Sequence, residues 1–218
     1  MNGPDAINPF SLRREYKRGA LLESEVAGDP IVQFEKWFAE AQASGVLEPN
    51  AMTVATADAS GKPSARTMLL KGFDHQGFVF YTNYDSRKGR ELDANPRAAL
   101  LFFWPALERQ VRIEGEISNV SQQESEEYFH SRPRDSQIGA LASQQSRAIA
   151  SRDELENRHA EMEKKYSAQP IPLPEYWGGY RLKPQAIEFW QGRPGRLHDR
   201  LLYERQADGS WRIGRLQP

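Results

Sequence analysis

The chain has 218 residues, 39% of them hydrophobic and 27% charged, with a formal net charge of -1. That balance fits a globular protein with one sizeable core, and the lack of a global basic field argues against a dedicated nucleic-acid binder. There is no cysteine, which excludes disulfides, thiolate metal sites and cysteine nucleophiles. His75, His130, His159 and His198 show no close metal-ligand spacing. No apolar run approaches bilayer length, and Met1 to Phe10 carries Asp5 without an apolar stretch. The expectation is a cytoplasmic protein with a mobile segment over residues 1–12 and one domain over residues 13–218.

Asp29-Pro30 marks a helix start, followed by Phe34, Trp37, Phe38 and Ala41 at helical spacing and stopped by Gly45. Strands are predicted at Met52–Ala57, Ser64–Phe73 and Phe78–Thr82, joined by short turns that force antiparallel neighbours. A helix over Ser86–Ala94 precedes strands at Ala98–Trp104 and Gln110–Ser118. Ser121-x-x-Glu124 and Ser151-x-x-Glu154 are capping boxes, each opening a helix. Short strands follow at Tyr180–Leu182, Ala186–Trp190, Leu201–Glu204 and Trp211–Ile213, with a turn at Asp208-Gly209. The expected fold is mainly β with helices (α+β): a closed or nearly closed antiparallel barrel with helices packed outside.

Three features carry candidate chemistry. Arg87 and Lys88 lie in the first turn of a helix, where cations oppose the helix dipole; they form either a solvated basic turn or an anion site. Arg132 and Ser136 flank the break at Pro133, with Tyr128 shortly before; Arg132 either caps a helix end or binds an anion. Arg196, His198 and Arg200 alternate. In an extended strand they share one face, which suggests an anion-holding site containing a group that titrates near neutral pH. The alternative for Arg196 is a salt bridge to Asp199 or Glu188. Arg66 and Lys71 differ in parity, so a regular strand would send them to opposite faces unless a bulge intervenes or the strand passes between two binding groups.

Six segments carry a resemblance. They are Arg13-Arg14-Glu15-Tyr16, Arg66–Lys71, Phe80–Asn83 with Ser86-Arg87-Lys88, Leu107–Val111, Tyr128–Ala140 and Ile187–Arg200. In order, from about residue 12 to the C-terminus, they resemble the pyridoxine/pyridoxamine 5′-phosphate oxidase family. The resemblance implies an FMN-binding antiparallel split β-barrel that oxidises pyridoxine 5′-phosphate or pyridoxamine 5′-phosphate to pyridoxal 5′-phosphate with O2. It also implies a homodimer whose sites use residues from both chains. The matching positions for FMN are Arg66, Thr67, Met68, Leu69, Leu70, Lys71, Tyr81, Thr82, Arg87, Lys88, Gln110, Gln145, Ser146, Trp190 and Arg200. For the substrate they are Arg13, Arg14, Glu15, Tyr16, Lys71, Tyr128, Arg132, Ser136, Arg196, Leu197 and His198, with Arg196 and His198 as the catalytic pair. Glu48 departs from the aspartate that some members place before the proline, which touches a secondary contact only. Two rivals stand beside this reading: a split-barrel flavin reductase acting on another substrate, and a non-catalytic carrier of pyridoxal phosphate.

Overall fold

The structure, a computed structural model, describes residues 15–218. The segment 1–12, expected to be mobile, and the candidate residues Arg13 and Arg14 lie outside the described residues. Helix α1 (Pro30–Ala43) begins where Asp29 accepts the Ile31 N–H at 2.7 Å, with proline in its first turn. Its apolar stripe enters the core: Phe34 and Ala41 are fully buried and Trp37 nearly so. The Phe34 ring meets Phe73, Phe78 and Phe102 edge-on at centroid distances of 4.9, 5.0 and 5.1 Å. Truncating so enclosed a ring to alanine costs about 3–5 kcal/mol.

Among the described residues, nine strands form one curled antiparallel sheet. They are β1 (Ala51–Ala57), β2 (Pro63–Leu69), β3 (Gly72–Asp74), β4 (Gly77–Asn83), β5 (Arg97–Trp104), β6 (Arg109–Asn119), β7 (Trp177–Gln191), β8 (Asp199–Arg205) and β9 (Trp211–Arg215). Their order is β2-β1-β5-β6-β7-β4-β3, with β8 added to β7 and β9 to β8. Alternation places Met52, Val54 and Thr56 of β1 inward, and Val111 and Ile113 of β6 likewise.

Two expected strands prove to be one. Tyr180–Leu182 and Ala186–Trp190 both belong to β7, because the long partner β6 spans both halves across an irregularity at Glu114/Gly115. Pro184, which lacks an N–H, falls at that irregularity. The first half of β7 also pairs with β4 and the second with β8, so this strand is the seam of the fold. The stretch Ser64–Phe73, expected as one strand, is broken: β2 ends at Leu69 and β3 starts at Gly72.

Helix α2 (Arg87–Ala94) is capped by Ser86, and helices α3 (Gln122–Ser131) and α5 (Arg152–Tyr166) by Ser121 and Ser151, each serine oxygen accepting an amide three residues on. Helix α4 (Arg134–Ala142) is not foreseen from the sequence. Pro133 ends α3, yet it occupies the N-cap of a new helix that has no side-chain cap. A second apolar cluster of Phe129, Ile138, Ile171 and Trp177 seats α3 and α4 on β7. Among the described residues no helix is long and apolar enough to cross a membrane.

Candidate active site

A cavity of about 520 Å³ opens between β2, β4 and the α3–α4 turn. One wall is Arg66, Thr67, Met68, Leu69 and Lys71; the other is Tyr81 and Thr82, with Lys88 below. Tyr128, Arg132, Pro133, Ser136, Gln145 and Trp177 complete it. The break after Leu69 explains how Arg66 and Lys71 reach one space despite opposite parity: the pleat is interrupted between them. Leu70 instead turns into the core and is 5% exposed, and Ser146 is exposed with a positive φ of 68°.

Lys88 is the electrostatic centre. Its Nζ donates to Gln145 Oε1 at 2.7 Å, Thr82 Oγ1 at 3.0 Å and Ser86 Oγ at 3.3 Å. All three acceptors are neutral. The neighbouring carboxylate, Glu91, is taken by others: it accepts from Arg87 Nε at 2.8 Å, Thr56 Oγ1 at 2.5 Å and Ser64 Oγ at 2.6 Å, and meets Arg66 Nη2 at 3.3 Å. Burial, and then the positive Arg66, push the Lys88 ammonium down to about 8, against the pull of Glu91. Burial works to raise the Glu91 carboxyl, but hydrogen bonds from Ser64, Thr56 and Arg87 outweigh it and bring it down to about 2. Arg87 therefore leans on Glu91 along its own helix and is half-exposed, while Arg66 and Lys88 line the cavity.

A second cation stands on the α3 side. The Arg132 guanidinium lies 4.8 Å from the Trp177 ring centre and donates to the Ser136 carbonyl at 2.9 Å. Among the described residues its Nη1 is buried with no hydrogen-bond partner, and burial pushes the guanidinium down from its ordinary value, Tyr128 countering. An orphaned charged donor of this kind is costly unless an anion meets it. The near-parallel rings of Tyr81, Tyr128 and Trp177 cluster beside it, the Tyr81 and Tyr128 centroids 3.9 Å apart, and Lys71 sits 5.9 Å from the Tyr128 ring centre. Ser136, expected beside a chain break, lies in the first turn of α4.

Gln110, Trp190 and Arg200 do not line this cavity. They share a separate concavity of about 370 Å³ with Arg112 and Glu188. There Glu188 accepts from Arg200 Nε at 2.7 Å and Arg112 Nη2 at 2.7 Å. The expected common face of Arg196, His198 and Arg200 is not formed. Pro194–Arg196 is a 3₁₀ turn, Gly195 and Arg196 have φ of 63° and 61°, and β8 starts only at Asp199. The period-two rule has no meaning through a left-handed turn. The alternative salt bridge is absent too: Asp199 pairs with Arg193 and Arg215, Glu188 with Arg112 and Arg200, and Arg196 is exposed. Leu197 is 73% exposed. His198 is held on the turn, its Nδ1 accepting the Arg193 N–H at 3.1 Å. Tyr16 reaches this place from the chain start and meets Trp190 and His198 edge-on, while Glu15 pairs with Lys17 at the surface.

Sequence reasoning missed Trp177, Glu91 and Glu108. Glu91 carried a readable signal, standing four residues after Arg87 on a helix. Trp177 and Glu108 gain their surroundings only from distant segments.

Fold and site together define the class: a curled antiparallel split β-barrel whose cavity presents three cations, Lys71, Lys88 and Arg132, that form no salt bridge among the described residues. Comparison narrows this. Residues 38–166 match the family model for pyridoxamine 5′-phosphate oxidase, and residues 177–218 match that for the pyridoxine 5′-phosphate oxidase C-terminal dimerisation region. The chain is 60% identical over 207 residues to the pyridoxine/pyridoxamine 5′-phosphate oxidase of Rubrobacter xylanophilus, covering 95% of each. It is 58% identical over 215 residues to that of Acaryochloris marina, covering 99% of this chain and 98% of the relative. PhzG from Burkholderia lata, solved with tetrahydrophenazine-1-carboxylic acid, superimposes with a TM-score of 0.86 at 32% identity over 91% of this chain and 98% of that one. A pyridoxamine 5′-phosphate oxidase-related, FMN-binding protein from Nostoc punctiforme shares the fold, with a TM-score of 0.68 at 18% identity over 85% of this chain and 97% of that one. The chain belongs to the pyridoxine/pyridoxamine 5′-phosphate oxidase family and is an oxidoreductase.

Proposed function

We propose that the chain binds FMN and oxidises pyridoxine 5′-phosphate or pyridoxamine 5′-phosphate to pyridoxal 5′-phosphate. O2 takes the two electrons and two protons and leaves as H2O2; the amine substrate also consumes water and releases ammonia. The observation that carries this reading is one cavity holding cations at two separate places, Lys88 with neutral hydrogen-bond partners on one side and Arg132, with an orphaned Nη1, beside Lys71 on the other. Both FMN and the proposed substrates carry a phosphate, and two phosphates call for two such places.

Lys88 and Arg66, with Thr82 and Gln145, would hold the FMN phosphate, and Glu91 keeps Arg66 and Arg87 beside it. Thr67, Met68 and Leu69 line the same cavity and would supply a wall for the flavin. Bound FMN supplies hydride acceptance at its N5 from the substrate's C4′ carbon, and reoxidation by O2. Lys71, Tyr128, Arg132 and Ser136 would take the substrate phosphate, which satisfies Arg132 Nη1. Arg196 and His198, on an exposed turn, would hold the substrate ring, with Tyr16 packed behind His198. Because Nδ1 of His198 is an acceptor, its neutral tautomer carries the proton on Nε2 and offers a donor there.

Gln110, Trp190 and Arg200 occupy a different concavity from Lys88. In the homodimer we propose, supported by the dimerisation region matched at residues 177–218, each site uses one cluster from each chain. The test is the visible spectrum of the purified protein, followed by anaerobic addition of pyridoxine 5′-phosphate. A flavin band that bleaches on addition is expected. A flavin band that bleaches only with a nicotinamide reductant points to the reductase reading, and ligand binding without bleaching points to a carrier. Bleaching by a tetrahydrophenazine carboxylic acid alone would align the chain with PhzG instead.

A further inference from the structure

The segment from Glu15 to Leu21 has no regular secondary structure, yet its backbone is tied down at five places. Lys17 N and Arg18 N both donate to Glu108 Oε2, at 2.8 and 2.9 Å. Arg193 Nη1 donates to the Gly19 carbonyl at 2.8 Å, Leu21 N to Asp199 Oδ2 at 3.1 Å, and Arg215 Nη2 to the Leu21 carbonyl at 2.9 Å. The first pair differs from the rest. It follows directly on Tyr16, whose ring meets Trp190 at 5.7 Å and His198 at 5.8 Å.

Glu108 is 3% exposed and sits in the β5–β6 turn with φ of 57°, a strained conformation for glutamate. Among the described residues no basic side chain forms a salt bridge with its carboxylate, so the charge is met by the two backbone amides. A buried carboxylate is costly unless hydrogen-bonded, and here the bonds come from the segment itself. The fit is close on the other side as well. Gly192 N donates to the Glu108 carbonyl at 2.7 Å, and a Cβ on Gly192 would lie 2.7 Å from Tyr16 Cγ and 2.9 Å from Tyr16 Cβ.

We propose that Glu108 is a positioning residue, a latch that holds the Glu15–Leu21 segment down and thereby sets Tyr16 against the His198 turn. The consequence for turnover rests on the substrate reading of Tyr16 and His198 given above; the latch itself does not. When the carboxylate is weakened, the segment opens more often, and substrate loses a preformed wall without losing FMN. Opening is a local equilibrium, and proteolysis reads the population of the open form. Lys17 and Arg18 are both exposed and both trypsin sites.

The experiment is limited trypsin digestion of the flavin-loaded protein, with cleavage after Lys17 and Arg18 followed by mass spectrometry. Cleavage after Lys164 and Lys165 in α5 serves as internal reference. Exchanging two charge-assisted bonds for neutral ones in Glu108→Gln should speed cleavage at Lys17 and Arg18 about tenfold, with the α5 rate and flavin content unchanged. Gly192→Ala, whose Cβ would press on Tyr16 and, at 3.1 Å, on Glu108 Cβ, should do the same from the other side. In both, KM for pyridoxine 5′-phosphate should rise more than kcat falls. Wild-type cleavage in a folded Glu108→Gln protein overturns the latch, and if that variant does not fold, Glu108→Asp, which keeps the charge but draws the carboxylate back from the Lys17 and Arg18 amides, decides by the same criterion. Cleavage is read without turnover, so failure of the latch and failure of the oxidase reading are separable.

Discussion

The backbone N–H of Arg193 donates to Nδ1 of His198 at 3.1 Å, and that one bond sets the state of the imidazole. Protonating Nδ1 would place two donors face to face. Burial, and then the positive Arg196, also hold the His198 pKa below its ordinary value of 6.5. The neutral form is thus favoured in the folded protein. Its contribution to stability is fully present above pH 6.5 and is lost as pH falls through the lower folded pKa.

Nitrogen-15 NMR of the flavin-loaded protein should show His198 neutral at pH 7, protonated on Nε2, and titrating below 6.5. A midpoint above 6.5 would show that the Arg193 bond does not persist in solution.

Lys88 leads to a second prediction. Phosphate binding favours its charged form, and the free amine titrates near pH 8. FMN affinity should be greatest below pH 8 and decline as pH rises through it, whereas riboflavin affinity should change little. Lys88→Met should weaken FMN about ten- to a hundredfold, from loss of a charge-assisted bond of about 1.5–3 kcal/mol. The same change should not lower the thermal midpoint of the flavin-free protein, because an apolar group replaces a buried cation that forms no salt bridge among the described residues. Calorimetric titration with both flavins checks the first part and a melting curve the second. Equal affinity of the wild type for FMN and riboflavin would remove the phosphate assignment.

Arg196 combines an exposed guanidinium with a left-handed backbone, φ 61°. A non-glycine residue there costs about 1–2 kcal/mol. Arg196→Gly should therefore be no less stable than Arg196→Ala, although both lose the side chain. Each should keep its flavin and lose turnover with pyridoxine 5′-phosphate. Arg196→Lys should rescue little, because lysine lacks the planar fork. Steady-state kinetics with the flavin-to-protein ratio measured alongside decides this, and flavin loss in all three variants would place Arg196 with the cofactor instead.

Assembly gives a fourth test. If each site draws Lys88 from one chain and Gln110, Trp190 and Arg200 from the other, FMN binding and dimer formation are linked. Dilution that splits the dimer should release flavin, and added FMN should shift the dissociation to lower concentration. Sedimentation followed at a flavin wavelength reports both. A monomer retaining its full flavin would show that one chain suffices.

Much of this arrangement was legible in local patterns. Asp29-Pro30 and the Ser121 and Ser151 capping boxes name helix starts because a cap needs only a neighbour two or three residues on. Met52–Ala57 and Gln110–Ser118 alternate because one face of each meets the core. Arg66, Lys71, Lys88, Tyr128, Arg132 and Ser136 were nameable in advance, and the fold does bring those six to one cavity. The errors have a common origin. Helix α4 lacks a side-chain cap, so nothing local announces it. The Arg196–Arg200 alternation looked like a strand, but Gly195 and Arg196 turn left-handed where the chain must bend back into β8.

By itself the sequence determined where the capped helices begin, which faces are apolar and which cations are available, since those depend on residues a few positions apart. Only the tertiary structure decided which charges are satisfied. Glu91 serves Arg66 and Arg87, leaving Lys88 to Gln145, 57 residues away. Glu108 meets the Lys17 amide across 91 residues. The energy of a charge depends on what surrounds it in space, and burial removes the water that would otherwise make every partner equivalent.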